Sequence, residues 1–158
     1  KESDWTPQLG DIFRAGTDKD GNMKIEEKNV LYSVDGNNKF GVISPSNKSN
    51  FYSSDCAILL GSVIAVDDNA ISVIDEELSK DDVVDVSGKG YSFSISDFSG
   101  ARVVKYDTSG KNLQVKDVSS DYEGTLRGLV PYEYEVSDPS KVLIYMYDGR
   151  VKTICILP

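Results

Sequence analysis

The chain of 158 residues carries a net charge of -9, with 39% hydrophobic and 27% charged residues. This length fits one domain, or one domain plus a fragment of a second, and the apolar share is enough to bury a core, which excludes a disordered chain. The excess of carboxylates excludes nucleic-acid partners and anionic membrane surfaces, because both need clustered Lys and Arg. No apolar run approaches about twenty residues, so the sequence also predicts no membrane insertion.

From the N-terminus onward one pattern recurs: an apolar run, a tight turn of Asp, Gly and Asn, and a second apolar run. The first turn separates the run Asp11–Ala15 from the run Met23–Ser33. Asn, Asp and Gly tolerate the positive φ that tight hairpin turns demand, so the pattern predicts an all-β fold of antiparallel hairpins. The turns are Asp18–Asn22, Asp35–Asn38, Asp67–Asn69, Asp107–Asn112 and Asp148–Gly149.

Several runs also alternate between apolar and polar residues, which is typical of antiparallel strands with one face in water. The alternating runs are Ser92–Ser96, Leu113–Lys116 and Tyr132–Val136. The acidic stretch Asp75–Val83 does not alternate, and it is too short for a helix with a useful apolar stripe. We expect one helical turn or a loop there.

A polar segment, Ser44–Asp55, interrupts the strand pattern with a proline and several serines. It predicts an N-terminal β-hairpin region over 1–44, a linker over 45–55 and a main domain over 56–158. The main domain is expected to be a small β-barrel or a sandwich, with the N-terminal region packed on it or ending a preceding module. The chain starts at Lys1 without an initiator Met, so we expect a fragment of a longer precursor.

Four segments carry a resemblance to a known family. Leu9–Arg14, followed by Asp20–Ile25, resembles a pattern in secreted Gram-positive (Firmicutes) surface proteins that join S-layer-homology repeats to β-rich modules. Gly61–Val73 is similar to a strand pair of those modules, while Ala101–Asp107 and Val142–Ile156 look like their later strands. The S-layer-homology repeat itself is not visible in this sequence.

The resemblance implies a non-catalytic structural or interaction module, outside the cell and at the bacterial cell surface. It carries over no catalytic residue. The expected partners are other domains of the same surface protein, or cell-wall polymer.

The sequence lacks the residue types that most catalytic sites use. The chain contains no His, which removes Ser-His-Asp and Cys-His catalysis and most zinc sites. Cys56 and Cys155 lie in apolar runs, and they are either buried small hydrophobes or one disulfide bridge. We therefore predict no enzyme activity. The remaining alternative is a hydrolase with paired carboxylates, drawn from Asp75, Glu76, Glu77, Asp81 and Asp82.

Calcium is the one cofactor that the sequence raises. Asp18, Asp20 and Asn22 have the alternating spacing that opens an EF-hand loop, where oxygen atoms bind the cation. Met23 replaces the required Gly and Asn29 replaces the bidentate Glu, so a plain hairpin turn is the competing interpretation. The acidic loop from Asp75 to Asp85 is a looser cation candidate.

A carbohydrate site is the alternative function. Four tyrosines lie in strand-like runs, and exposed tyrosine rings can stack on the sugars of a cell-wall glycan. The competing interpretation is ordinary packing, since Tyr is favoured in strands. The residues are Tyr132, Tyr134, Tyr145 and Tyr147.

Overall fold

A computed structural model describes residues 5–84 and 88–158. These residues form an all-β fold whose strands are joined by turns and short 3₁₀ segments, as the hairpin pattern predicts. In the described part of the chain, no helix is long and apolar enough to cross a membrane. The strands are β1 (Ile12–Phe13), β2 (Gly16–Thr17), β3 (Met23–Lys24), β4 (Val30–Tyr32), β5 (Gly41–Ser44), β6 (Cys56–Val66), β7 (Ala70–Ile74), β8 (Gly90–Ser94), β9 (Arg102–Asp107), β10 (Gln114–Asp117), β11 (Lys141–Tyr147) and β12 (Arg150–Leu157).

One large sheet dominates the fold. Its strands follow the order β10-β9-β12-β11-β6-β7-β8, and β5 also pairs with β6. Its pairs are antiparallel, except that β12 and β9 run parallel. Within the described residues the end strands β10 and β8 do not pair with each other, so the sheet is open. Of the two predicted architectures, the barrel is therefore wrong and the sandwich-like domain is consistent with the structure.

In the large sheet, three of the predicted hairpins form around their turns. The turn at Asp67–Asn69 joins β6 to β7, and the longer turn after Asp107 joins β9 to β10. Asp148 and Gly149, with φ of 52° and 76°, join β11 to β12. Both φ values lie in the left-handed region that two-residue hairpin turns use.

The central strands β6 and β11 are buried on both faces. Alternate residues of β6 enter two separate cores, and β11 does the same. The large core also takes Phe51, Phe98, Leu126 and Leu129 from outside the sheet. The small core lies on the other face, under the N-terminal region; its buried members are Tyr32, Ile58, Leu60, Tyr106, Leu143, Cys155 and Leu157. The continuous apolar run of β6 is the sequence signal for this two-sided burial.

The N-terminal region forms the predicted hairpin, but its second strand is interrupted. β2 pairs with β3 near the turn and β1 pairs with β4 further out, while a 3₁₀ segment, Glu27–Asn29, interrupts the strand between β3 and β4. The segment after β5 is not detached from the main sheet, because Phe51 is only 1% exposed and lies in the large core. The domain boundaries at 44 and 55 stay a prediction.

Two of the alternating runs behave differently from the prediction. Ser92–Ser96 leaves the strand at Ser94, where the Ser94 and Asp97 side chains form a capping box for a 3₁₀ segment. Tyr132–Val136 is not a strand: Glu135 has φ of 59°, and an isolated bridge joins Glu133 to Ser137. Prolines at 131 and 139 flank this run, and because Pro has no backbone N–H, neither of them can donate a hydrogen bond to a strand pair. The acidic stretch Asp75–Val83 forms a loop, one of its two predicted forms.

Candidate functional site

The predicted calcium ligands lie in the turn between β2 and β3. The Oδ1 atom of Asp18 accepts hydrogen bonds from the backbone amides of Asp20 and Asn22, each at 2.9 Å. The Gly21 amide donates to the Asp18 carbonyl oxygen at 3.0 Å. These bonds give the alternating spacing a structural reason, because a side chain that accepts two amides fixes a tight turn. The calcium site itself stays a prediction.

The same use of aspartate recurs across the fold. Asp67 accepts the amides of Asn69 and Ala70, both at 2.7 Å, in the turn between β6 and β7. Asp107 and Asp117 each accept the amide of the serine two residues later. Further aspartates accept a backbone amide from a loop or a 3₁₀ segment; these are Asp11, Asp75, Asp82, Asp97 and Asp138.

The candidate hydrolase carboxylates lie in the loop after β7. Asp82 accepts the amide of Ser79 at 2.7 Å, and Glu77 forms an ion pair with Lys141 at 3.1 Å. Asp85, the end of the predicted acidic loop, lies outside the described residues. Over residues 5–84 and 88–158, no three His, Cys, Asp or Glu side chains cluster in a way that could hold a metal ion.

The structure separates the four candidate tyrosines into two pairs. Tyr147 lies opposite Cys56, at the start of β6, with Tyr145 two residues away on the same side of β11. The amide of Tyr132 instead donates to the Val63 carbonyl oxygen, seven residues further along β6. At about 3.3 Å per residue, the positions on β6 beside Tyr147 and Tyr132 are roughly 23 Å apart. The two pairs cannot form one aromatic platform for a sugar.

The members of each tyrosine pair also differ in exposure. Tyr134 and Tyr147 are half exposed, at 50% and 49%. Tyr132 is partly buried, and its hydroxyl donates to the carbonyl oxygen of Asp82. Tyr145 is partly buried as well; burial raises its pKa, and the nearby positive charge of Arg14 opposes that rise. Each pair thus has one accessible ring and one that is held against the protein.

The two cysteines are free thiols. Cys56 lies opposite Tyr147 and Cys155 opposite Leu143, so β11 separates them and they are offset along it. Two strand spacings alone are about 10 Å, beyond the roughly 7 Å that a disulfide spans between Cα atoms. The bridge is therefore excluded and the buried-hydrophobe interpretation holds for Cys155, where burial raises the thiol pKa to about 11.

Sequence reasoning missed a groove on the small-core side of the sheet. It has a volume of about 480 Å³ and lies between β1 and the strands β6, β11 and β12. Its lining residues are Ile12, Phe13, Arg14, Ala15, Leu31, Cys56, Ile58, Leu143, Tyr145, Thr153 and Cys155. One sequence signal was available for part of the lining: the alternation of side chains along β11 puts Leu143 and Tyr145 on one face.

Comparison of the chain with protein-family models, curated proteins and solved structures finds no match.

Proposed function

We propose that this chain is a non-catalytic structural or interaction module of a bacterial extracellular cell-surface protein. The observation that carries the proposal is the use of aspartates as backbone acceptors in turns and loops. Asp18 and Asp67 each accept two backbone amides. These hydrogen bonds explain why an aspartate stands at each position without a role in catalysis.

The direction of the pKa shifts supports a structural role for these carboxylates. The Lys116 ammonium and Ser109 hold the pKa of Asp107 well below its usual range. Hydrogen bonds from Ser119, followed by the Arg102 ion pair, lower the pKa of Asp117. A carboxylate with a lowered pKa stays charged over a wider pH range, so it remains an acceptor for the backbone amide that it holds.

The covered edge strand β8 also supports the proposal, because a module beside neighbouring domains must not pair its strands with theirs. The Tyr52 hydroxyl accepts the Ser92 amide at 2.8 Å and donates to the Ser92 carbonyl oxygen at 3.3 Å. An exposed strand edge otherwise pairs with other chains, and proteins suppress this by covering the edge. Tyr52 covers the middle residue of β8 in this way.

A substrate panel tests the non-catalytic part of the proposal. Chromogenic glycosides, esters and peptides are incubated with the purified chain and with heat-denatured protein as the control. The proposal expects no turnover above the control. Turnover that Asp82→Asn or Glu77→Gln abolishes, with the fold intact by circular dichroism, would favour the carboxylate hydrolase instead.

The cell-surface part has a separate test. Antibodies against the chain are applied to intact and to lysed cells that produce the protein. Labelling of intact cells supports the proposed location, with other domains of the surface protein or wall polymer as neighbours. Labelling restricted to lysed cells contradicts it.

Binding of a wall glycan is the second candidate, favoured by the half-exposed rings of Tyr134 and Tyr147. A glycan array compares the wild type with Tyr134→Ala and Tyr147→Ala, with Lys111→Gln as a variant outside both pairs. Weaker binding by one alanine variant alone supports this candidate and identifies the pair. An array without any bound glycan contradicts it.

A further inference from the structure

The groove on the small-core side has a buried apolar floor and a more exposed polar rim. Ile58, Leu143 and Cys155, from three adjacent strands, are buried at 4%, 3% and 8% exposure. Ile12, Phe13 and Leu31 come from the N-terminal hairpin and are partly buried. Apolar residues thus face the groove from both the sheet and the hairpin.

Three polar groups lie at the more exposed part of the lining. Arg14 is exposed, while Tyr145 and Thr153 are partly buried. The Arg14 amide donates to the Asn29 carbonyl oxygen at 2.8 Å, which fixes the backbone that carries the guanidinium. An apolar cleft with a few convergent polar groups is the usual form of a small-molecule site, and about 480 Å³ lies within the usual range of volumes.

The charge of the groove is the reverse of the charge of the chain. The whole sequence has 26 acidic and 17 basic residues, but the described groove lining contains one cation and no carboxylate. Among the described ion pairs, none involves Arg14. The guanidinium is therefore available to a ligand, and its planar donors match a carboxylate.

We propose that this groove binds an amphipathic carboxylate, with the hydrocarbon chain on the apolar floor and the carboxylate at Arg14. The apolar floor of Ile58, Leu143 and Cys155 favours a hydrocarbon chain as the part of the ligand that lies on it. The guanidinium of Arg14, the one unpaired cation of the described lining, favours an anionic head group. The hydroxyls of Tyr145 and Thr153 can donate further hydrogen bonds to it. This inference is independent of the proposed structural role, since a non-catalytic module with or without a surface location can hold such a ligand.

Decanoate is the probe, and isothermal titration calorimetry of the full chain measures its binding. Binding of decanoate is expected, and the melting temperature should rise with its concentration. Arg14→Gln should weaken binding about tenfold, because it removes a charge-assisted hydrogen bond. Decanol, which keeps the chain but lacks the carboxylate, should bind at least about tenfold more weakly for the same reason.

Matched variants separate the groove from general charge and from misfolding. Lys111→Gln also removes one positive charge, from the exposed turn between β9 and β10, and should leave binding unchanged. Ala15→Trp places a large ring at an exposed position of the lining and should abolish binding while the melting temperature of the free protein is kept. If Ala15→Trp unfolds the chain, Arg14→Gln still decides the outcome.

The reactivity of the Cys56 thiol, which lines the groove, reports whether a ligand occupies it. Decanoate should slow its alkylation by iodoacetamide, measured by mass spectrometry of the peptide that contains it. No binding of decanoate, equal binding by Arg14→Gln, or equal binding of decanol overturns the proposal. Binding that leaves the alkylation rate of Cys56 unchanged overturns the location.

Discussion

The hydroxyl of Tyr106 on β9 donates a hydrogen bond to the carbonyl oxygen of Gly10, 96 residues earlier in the chain. Tyr106 is buried, and its ring packs edge-on against Tyr32 at a centroid distance of 6.2 Å. This contact fastens the start of the N-terminal hairpin to the large sheet. It therefore holds one wall of the groove in place.

Tyr106→Phe keeps the ring and removes the hydroxyl, so it leaves a buried carbonyl oxygen without its donor. We expect a loss of about 1–3 kcal/mol in the free energy of unfolding, measured with urea. Tyr134→Phe is the control, since this ring is half exposed, and it should change stability by less than about 0.5 kcal/mol. Equal stability of the two variants would show that the bond does not stabilise the fold.

Gly10 and Gly21 form a matched pair for the packing at this contact. Both have a positive φ, 95° and 82°, but a Cβ atom at Gly10 would lie 2.6 Å from Leu113 and 2.7 Å from Val34. Nothing lies within 4 Å of a Cβ atom at Gly21. Gly21→Ala should cost about 1–2 kcal/mol from backbone strain alone. Gly10→Ala should cost a further 1–3 kcal/mol or so from overpacking, and equal losses in urea melts would contradict this packing.

Tyr52→Phe tests the cover on the edge of β8. Without the hydroxyl, the outward amide and carbonyl of Ser92 lose their partner. Hydrogen exchange should show faster exchange of the Ser92 amide, while amides of β11 in the sheet centre stay protected. Size-exclusion chromatography at rising concentration should show more self-association than the wild type. Unchanged exchange at Ser92 would mean that the edge is protected by something else.

Alkaline pH should destabilise the protein through Cys155. Burial raises the pKa of its thiol from 9.0 to about 11 in the folded chain. The stabilisation is thus complete below pH 9 and is lost as the pH rises from 9 through 11, by roughly 3 kcal/mol in total. Burial also raises the pKa of Tyr106, which adds to the loss at still higher pH.

The measurement for this prediction is the free energy of unfolding from urea melts at pH 7.5 and at pH 11. Cys155→Ala is less stable at neutral pH, because it leaves a small cavity, but its stability should fall less steeply between the two pH values. Parallel falls of wild type and Cys155→Ala would contradict the assignment to this thiol.

The hairpins were predictable because local rules determine them, whereas the contacts between distant segments were not predictable. The turn residues at Asp67 and at Asp148 predict their hairpins, because positive φ and side-chain acceptors act within four residues. The parallel pairing of β9 with β12 depends on segments about fifty residues apart and has no local signal. The Tyr132–Val136 run alternates like a strand, but its backbone bonds go to β6 and to Lys80 instead of to a neighbouring strand.

The candidate site was less predictable than the fold for the same reason. The spacing of Asp18 and Asn22 is equally compatible with a cation loop and with a turn, and only the hydrogen bonds show the turn. The groove needs β1 to lie across strands that begin more than forty residues later. Its lining is therefore spread over the chain, and no motif marks it.

The most direct test of the structural role of the aspartates uses Asp67, at the turn between the long central strand β6 and its neighbour β7. Its Oδ1 atom accepts the amides of Asn69 and Ala70, and Asn at this position keeps an acceptor oxygen while Ala does not. The free energy of unfolding is measured for the wild type, Asp67→Asn and Asp67→Ala, each with and without millimolar calcium.

If the aspartates serve the turns, Asp67→Ala should lose about 1–2 kcal/mol, Asp67→Asn less than half of that, and calcium should leave all three values unchanged. Equal losses for Asp67→Asn and Asp67→Ala, or a calcium-dependent rise in the wild type alone, would show that the charge of the carboxylate matters more than its place in the turn.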